Sequence, residues 1–175
     1  MTSFNFEIPT IETESLILRA PLESDLDALE VFNQSERSHL IGGPLDRANC
    51  WRVISNGIGH WALRGFGMWH IHHKADDRMI GACGFIIREG WDEPELGWNV
   101  HDGYEGKGYA FEAAMAARTH GATHLDLNGI LSYIDPTNHR SFALSTRMGA
   151  YFERQGSLRG EVADIYRHPT TGDTT

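Results

Sequence analysis

The chain has little that would cross-link it and little that would bind a polyanion. Cysteine occurs only at Cys50 and Cys83. Two are too few for a disulfide framework and lack metal-ligand spacing, which fits reduced thiols packed in a cytoplasmic protein. Lys and Arg number 15 against 24 Asp and Glu, for a formal net charge of −9. That shortage of positive charge argues against nucleic acid as a partner and suits a cationic or amine-bearing one, although acidity also serves solubility. Long apolar runs are missing, so no membrane span is expected. "MTSFNFEIPTIETES" has neither a basic start nor an apolar stretch with a small-residue cleavage site, and secretion is not indicated. Internal repeats and low-complexity linkers are absent as well. With 41% hydrophobic and 22% charged residues, one globular domain over 1–175 is expected, with 1–12 and 169–175 as tails.

What is present is a punctuated alternation of elements. "LILRA" reads as a strand, and "ESDLDALEVFNQ" as a helix with Leu26, Leu29 and Phe32 at helical spacing behind a Ser24 or Asp25 cap. "RANCWRVISNGIGHWALR" gives a second helix, interrupted by glycines. "FGMWHIHHK" and "MIGACGFIIRE" flank "ADD" as an antiparallel hairpin, and "PELGWNV" adds the next strand of a meander. His70 and His72 share a strand face there; without a third ligand nearby they read as polar lining on the acceptor side rather than as a metal pair.

Ala110, Ala113, Ala114 and Ala117 form the small-residue face of a third helix, which Gly121 can end. "GILSYID" is a strand broken by Pro136. Thr137 or Asn138 caps "HRSFALSTRM", and Gly149 stops it. "AYFERQG" and "EVADIYRH" close the fold as a strand pair turning at 157–160, and "HPTTGDTT" reads as a frayed tail. The order β-α-α-β-β-β-α-β-α-β-β implies a mixed sheet with helices on both faces.

The chemistry-bearing stretch is "ELGWNVHDGYEGKGYAFEAA", a strand, a glycine turn and a helix start. Such a turn aims unpaired N–H groups at one spot where the helix dipole favours negative charge, which suits phosphate; a tight turn without ligand is the plainer alternative. Lys107 is followed by Gly108 and Tyr109 rather than Ser or Thr, so this is not a nucleoside-triphosphate loop. Phe111 stands where a dinucleotide fingerprint needs its third glycine.

Over residues 13–168 the chain resembles the GNAT superfamily of acetyl-coenzyme A dependent N-acetyltransferases. "TESLILRAPLESDLDAL" is similar to the opening of the branch that includes the ribosomal-protein alanine N-acetyltransferases. "ELGWNVHDGYEGKGYAFEA" looks like that branch's strand and pyrophosphate loop, and "NHRSFALSTRMGA" like its second coenzyme-contacting helix. The resemblance implies an α/β (α+β) fold with a mixed, mostly antiparallel sheet, helices on both faces, and strands four ("PELGWNV") and five ("GILSYID") splayed. It implies acetyl-CoA as co-substrate, no metal, and direct attack by a primary amine, on a protein N-terminus or a small molecule, in a ternary complex. Two-fold pairing is common among the relatives.

The resemblance also carries site residues. Trp98, Asn99 and Val100 would run along the pantetheine arm, with a bulge in strand four and the Val100 N–H facing the thioester oxygen. Glu105, Gly106, Lys107, Gly108, Tyr109 and Ala110 form the pyrophosphate loop. Glu105 departs from the family's Gln or Arg, and its carboxylate is expected to turn outward while the N–H groups of 106–110 bind. Asn138 would meet the pantetheine amides, and Lys107 and Arg140 the phosphates. Glu95 is the candidate general base, against a plain surface charge. Ser141 is the candidate acid for the departing sulfur; Ser145 occupies the place where many members carry Tyr, and Tyr133 is a third choice. Two other functions fit the letters: a non-catalytic acyl-CoA-binding or sensing module, and a partner-binding protein using the meander edge. The acceptor-shaping segments "NQSERSHLIGGPLDRANC" and "QGSLRGEVAD" carry no readable motif.

Overall fold

A computed structural model describes residues 5–158 and 160–170. The elements in chain order are β1 (Ile11–Glu12), β2 (Leu16–Arg19), α1 (Leu26–Asn33), α2 (Arg47–Arg64), β3 (Met68–His73), β4 (Arg78–Ile86) and β5 (Glu95–Val100). They continue with α3 (Tyr109–His124), β6 (Leu131–Ile134), α4 (His139–Arg147), β7 (Tyr151–Leu158) and β8 (Glu161–Arg167). Short 3-10 turns at Glu23–Asp25 and Glu36–Ile41 flank α1. The sheet runs β1-β2-β3-β4-β5-β6-β8-β7, antiparallel except for β5 against β6. The expected mixed sheet with helices on both faces is present, with β1 added at one edge.

Sheet alternation sorts the core onto two faces. Leu16, Leu18, Trp69, Ile71, Cys83, Phe85, Leu96 and Val100 pack with Ala113, Ala114 and Ala117 of α3. Leu29, Cys50 and Ile54 of α1 and α2 pack over Met79. Ile80 shares the face of Cys83 and Phe85 although it lies an odd number of residues away, because the register slips between Ile71 and His72 and leaves Ile80 as the extra residue of a β-bulge.

Several expectations are corrected. Helix α2 runs unbroken through Gly57 and Gly59 and ends at Gly65, whose φ is 76°. Gly121 does not end α3 but lies buried within it, where the missing Cβ lets the helix approach Phe85. The tails are shorter than expected: the Pro9 carbonyl accepts from Trp69 Nε1 at 2.7 Å, and His168 is buried. Residues 1–4 and 171–175 of those tails, and Arg159 of the turn expected at 157–160, lie outside the described residues.

Asp25 does not cap α1 with its side chain. Its buried carboxylate takes both Arg19 guanidinium nitrogens at 2.7 and 2.8 Å, His70 Nδ1 at 2.6 Å and the Leu22 N–H at 3.0 Å. Burial alone would raise this carboxyl, but Arg19 and His70 hold it far below the usual carboxylate range. His70 is therefore committed to the fold, and His72 pairs with Asp77 at 3.1 Å.

Candidate active site

The glycine turn after β5 is built by conformation rather than by crowding. Gly103, Gly106 and Gly108 have φ of 86°, 74° and 91°, and a Cβ at any of them would meet nothing within 4 Å. Each position asks for glycine because φ is positive, and the space beside it stays open. Gly108 is the N-cap of α3, and its carbonyl accepts from Glu112 N–H. The earlier N–H groups, through Tyr109, Ala110 and Phe111, have no acceptor within the helix. This donor-lined turn, open beside its glycines, suits a diphosphate.

The loop is clamped to the β3–β4 hairpin. Tyr104 O–H donates to Asp76 Oδ2 at 2.6 Å, and the Tyr109 hydroxyl meets His73 Nε2 at 3.0 Å. Lys107 Nζ sits 5.3 Å from the centre of the Tyr104 ring. Tyr104, Asp76 and His73 were not singled out by sequence, since no motif spaces them. Glu105 is paired within the protein. It is half-buried, with Arg37 at 3.4 Å and Arg140 at 3.9 Å, and Arg37 also holds Asp102 at 2.6 Å. Backbone N–H donation and Arg37 keep its carboxyl below the usual range. Its charge is thus balanced by two arginines, which answers the repulsion that a carboxylate in this loop would otherwise exert.

β5 carries no bulge. Its register with β4 is continuous from Ile86/Glu95 to Gly81/Val100, and the ladder extends to His101 N–H on the Ile80 carbonyl. In an antiparallel ladder alternate residues turn their N–H and C=O to opposite edges, so Leu96, Trp98 and Val100 present theirs toward β6. β6 meets β5 at the single pair Glu95/Leu131 and then departs. The open main-chain groups at Trp98 and Val100 therefore come from splaying. At the fork, Glu95 Oε2 accepts the Tyr133 N–H at 3.0 Å, and Ser132 Oγ donates to the Leu96 carbonyl at 2.6 Å. His168 Nε2 lies 3.0 Å from Ser132 Oγ. A carbonyl only accepts, so Ser132 gives it its hydrogen, and neutral His168 must donate through Nε2–H. Burial keeps His168 neutral by pulling its pKa to about 4.

The remaining residues divide by face. The Trp98 side chain shares the α3 face and meets the His168 ring edge-on at 6.3 Å. Glu95 and Asn99, one residue off in the alternation, point to the opposite face. Tyr133 packs on Trp91 at 5.6 Å, and burial and then Asp92 raise its pKa. Asn138 caps α4, its Oδ1 accepting from Ser141 N–H at 3.1 Å. The Ser141 side chain is half-buried in that first turn, whereas Ser145 is buried and bonds its own helix at the Phe142 carbonyl, 2.8 Å away.

Residues 15–151 match the acetyltransferase (GNAT) domain family. An acetyltransferase from Agrobacterium tumefaciens str. C58 superposes with a TM-score of 0.84 and 34% identity, covering 96% of this chain and 98% of that one. The uncharacterized N-acetyltransferase p20 of Bacillus licheniformis is 29% identical over 167 residues, which is 90% of this chain and 93% of the relative. A ribosomal L7/L12 α-N-protein acetyltransferase in complex with coenzyme A shares the fold at a TM-score of 0.77 and 20% identity, covering 94% of this chain and 100% of that one. With a family match over most of its length and a splayed strand pair beside a glycine loop, the chain belongs to the GNAT family of acetyltransferases.

Proposed function

We propose that the protein transfers the acetyl group of acetyl-CoA to a primary amine, on a protein N-terminus or a small molecule, within a ternary complex. The observation that carries this reading is the fork: main-chain donors at Trp98 and Val100 face an opening that begins beside the donor-lined turn at 106–110. When bound, acetyl-CoA supplies an activated thioester. The loop N–H groups hold the diphosphate, Lys107 and Arg140 add charge, Asn138 meets the pantetheine amides, and the Val100 N–H polarises the acyl carbonyl. Glu95, on the face opposite α3, takes the proton of the incoming ammonium, directly or through water. Ser141, on the α4 side, donates to the departing sulfur. Ser145 already donates to the Phe142 carbonyl, and Tyr133 lies on the other face, packed on Trp91.

The test is thiol release from acetyl-CoA over an amine panel, read beside coenzyme binding. Turnover with at least one amine, with Glu95→Gln lowering kcat and removing the acidic limb of the pH profile, supports the reading. Coenzyme binding with no turnover on any amine would instead indicate an acyl-CoA-binding module.

A further inference from the structure

The fork between β5 and β6 is made by two side chains. In a parallel ladder, the bond after the Glu95/Leu131 pair would run from the Tyr133 N–H to the Leu96 carbonyl. The strands do not make it. The Tyr133 N–H is taken by Glu95 Oε2 at 3.0 Å, and the Leu96 carbonyl accepts instead from Ser132 Oγ at 2.6 Å. Donor and acceptor are thus each satisfied by a side chain borrowed from the neighbouring position, one from each strand. Left unsatisfied, each would cost the desolvation of a half-buried or buried peptide group.

We propose that Glu95 and Ser132 form a wedge that ends the β5–β6 ladder and holds open the channel for the coenzyme's pantetheine arm. His168 acts behind it, because its Nε2–H donation leaves the Ser132 hydrogen no direction but Leu96. Only the channel's use rests on the acyl-transfer reading; the wedge itself rests on the two bonds. Glu95 is thereby a positioning residue as well as the proposed base, and the two roles separate chemically. A glutamine keeps the acceptor oxygen for Tyr133 and loses the base.

The single variants Glu95→Ala and Ser132→Ala each orphan one main-chain group. The double variant frees both, and they can then bond to each other and zip the ladder. Melting temperature, coenzyme A affinity by calorimetry, and the through-bond coupling between Tyr133 nitrogen and the Leu96 carbonyl carbon read this out. We expect each single variant to melt lower and the double variant to lose less than the sum of the two. Its affinity should fall tenfold or more, and the Tyr133–Leu96 coupling, absent in the wild type, should emerge. Glu95→Gln should retain affinity within about twofold while losing kcat. Additive melting losses with unchanged affinity would overturn the wedge, as would the coupling in the wild type. If the wild type fails to bind coenzyme A, the acyl-transfer reading falls, and the melting cycle and the coupling still decide the wedge.

Discussion

Gly121 of α3 lies directly over the Phe85 ring of β4: a Cβ built on it would stand 2.8 Å from Cε2 and closer still to Cζ. Phe85 is fully buried among Trp69, Leu96 and Ala117, so the ring has nowhere to go. Gly121→Ala would gain about 1 kcal/mol of helix propensity, but overpacking a close-packed core costs about 1–3 kcal/mol, and a contact this short sits at the upper end. Net destabilisation is expected, seen as a lower urea midpoint with an unchanged m-value, and Gly121→Val should be worse.

The loop glycines should behave differently. A Cβ at Gly106 or Gly108 meets nothing within 4 Å, so alanine there pays only for positive φ, roughly 1–2 kcal/mol. That strain should distort the turn that carries the N–H donors. Gly108→Ala is expected to raise the KM for acetyl-CoA severalfold with a small change in kcat, measured by steady-state kinetics at saturating amine. Tyr104→Phe, which removes the 2.6 Å bond to Asp76, should move KM the same way.

Breaking the buried Asp25 cluster should cost more than any surface ion pair. Asp25→Ala leaves Arg19 and His70 without their carboxylate, and removing one partner of a buried pair typically costs about 3–5 kcal/mol. A fall in melting temperature of many degrees is expected, with an unaltered KM for acetyl-CoA at temperatures where the variant is folded.

Acid should destabilise the protein before its carboxylates titrate. Burial pulls both His101 and His168 down to about 4 from 6.5. Between those values the unfolded chain binds protons that the folded one refuses, so stability is level above pH 6.5 and falls as pH drops toward 4. Each histidine contributes up to about 3 kcal/mol to that fall. Asp25, with a lowered carboxyl pKa, adds a separate loss only below its unfolded value near 3.8. Guanidinium unfolding at pH 7.5 and pH 5 checks the sign; His168→Gln should be less stable at neutral pH yet show a shallower slope.

Much of the fold was legible because its signals are local. The run Arg47–Arg64 was legible as helix, although its passage unbroken through Gly57 and Gly59 was not. The small face of α3 foretold its closeness to the sheet, and the glycine loop its donors. What escaped the letters is non-local. Asp25 looked like a helix cap until Arg19 and His70 arrived from two strands. Glu105 looked misplaced until Arg37, Asp102 and Arg140 surrounded it. His168 looked like tail because its partner, Ser132, is 36 positions away.

The amino-acid sequence alone determined the order of elements, the positive-φ turn and the family motifs, since propensity, capping and glycine conformation act over a few residues. Only the tertiary structure decided where β5 and β6 part. A parallel ladder ends where main-chain groups find other partners, and Glu95, Ser132 and Tyr133 become mutual neighbours only when strands distant in the chain lie side by side.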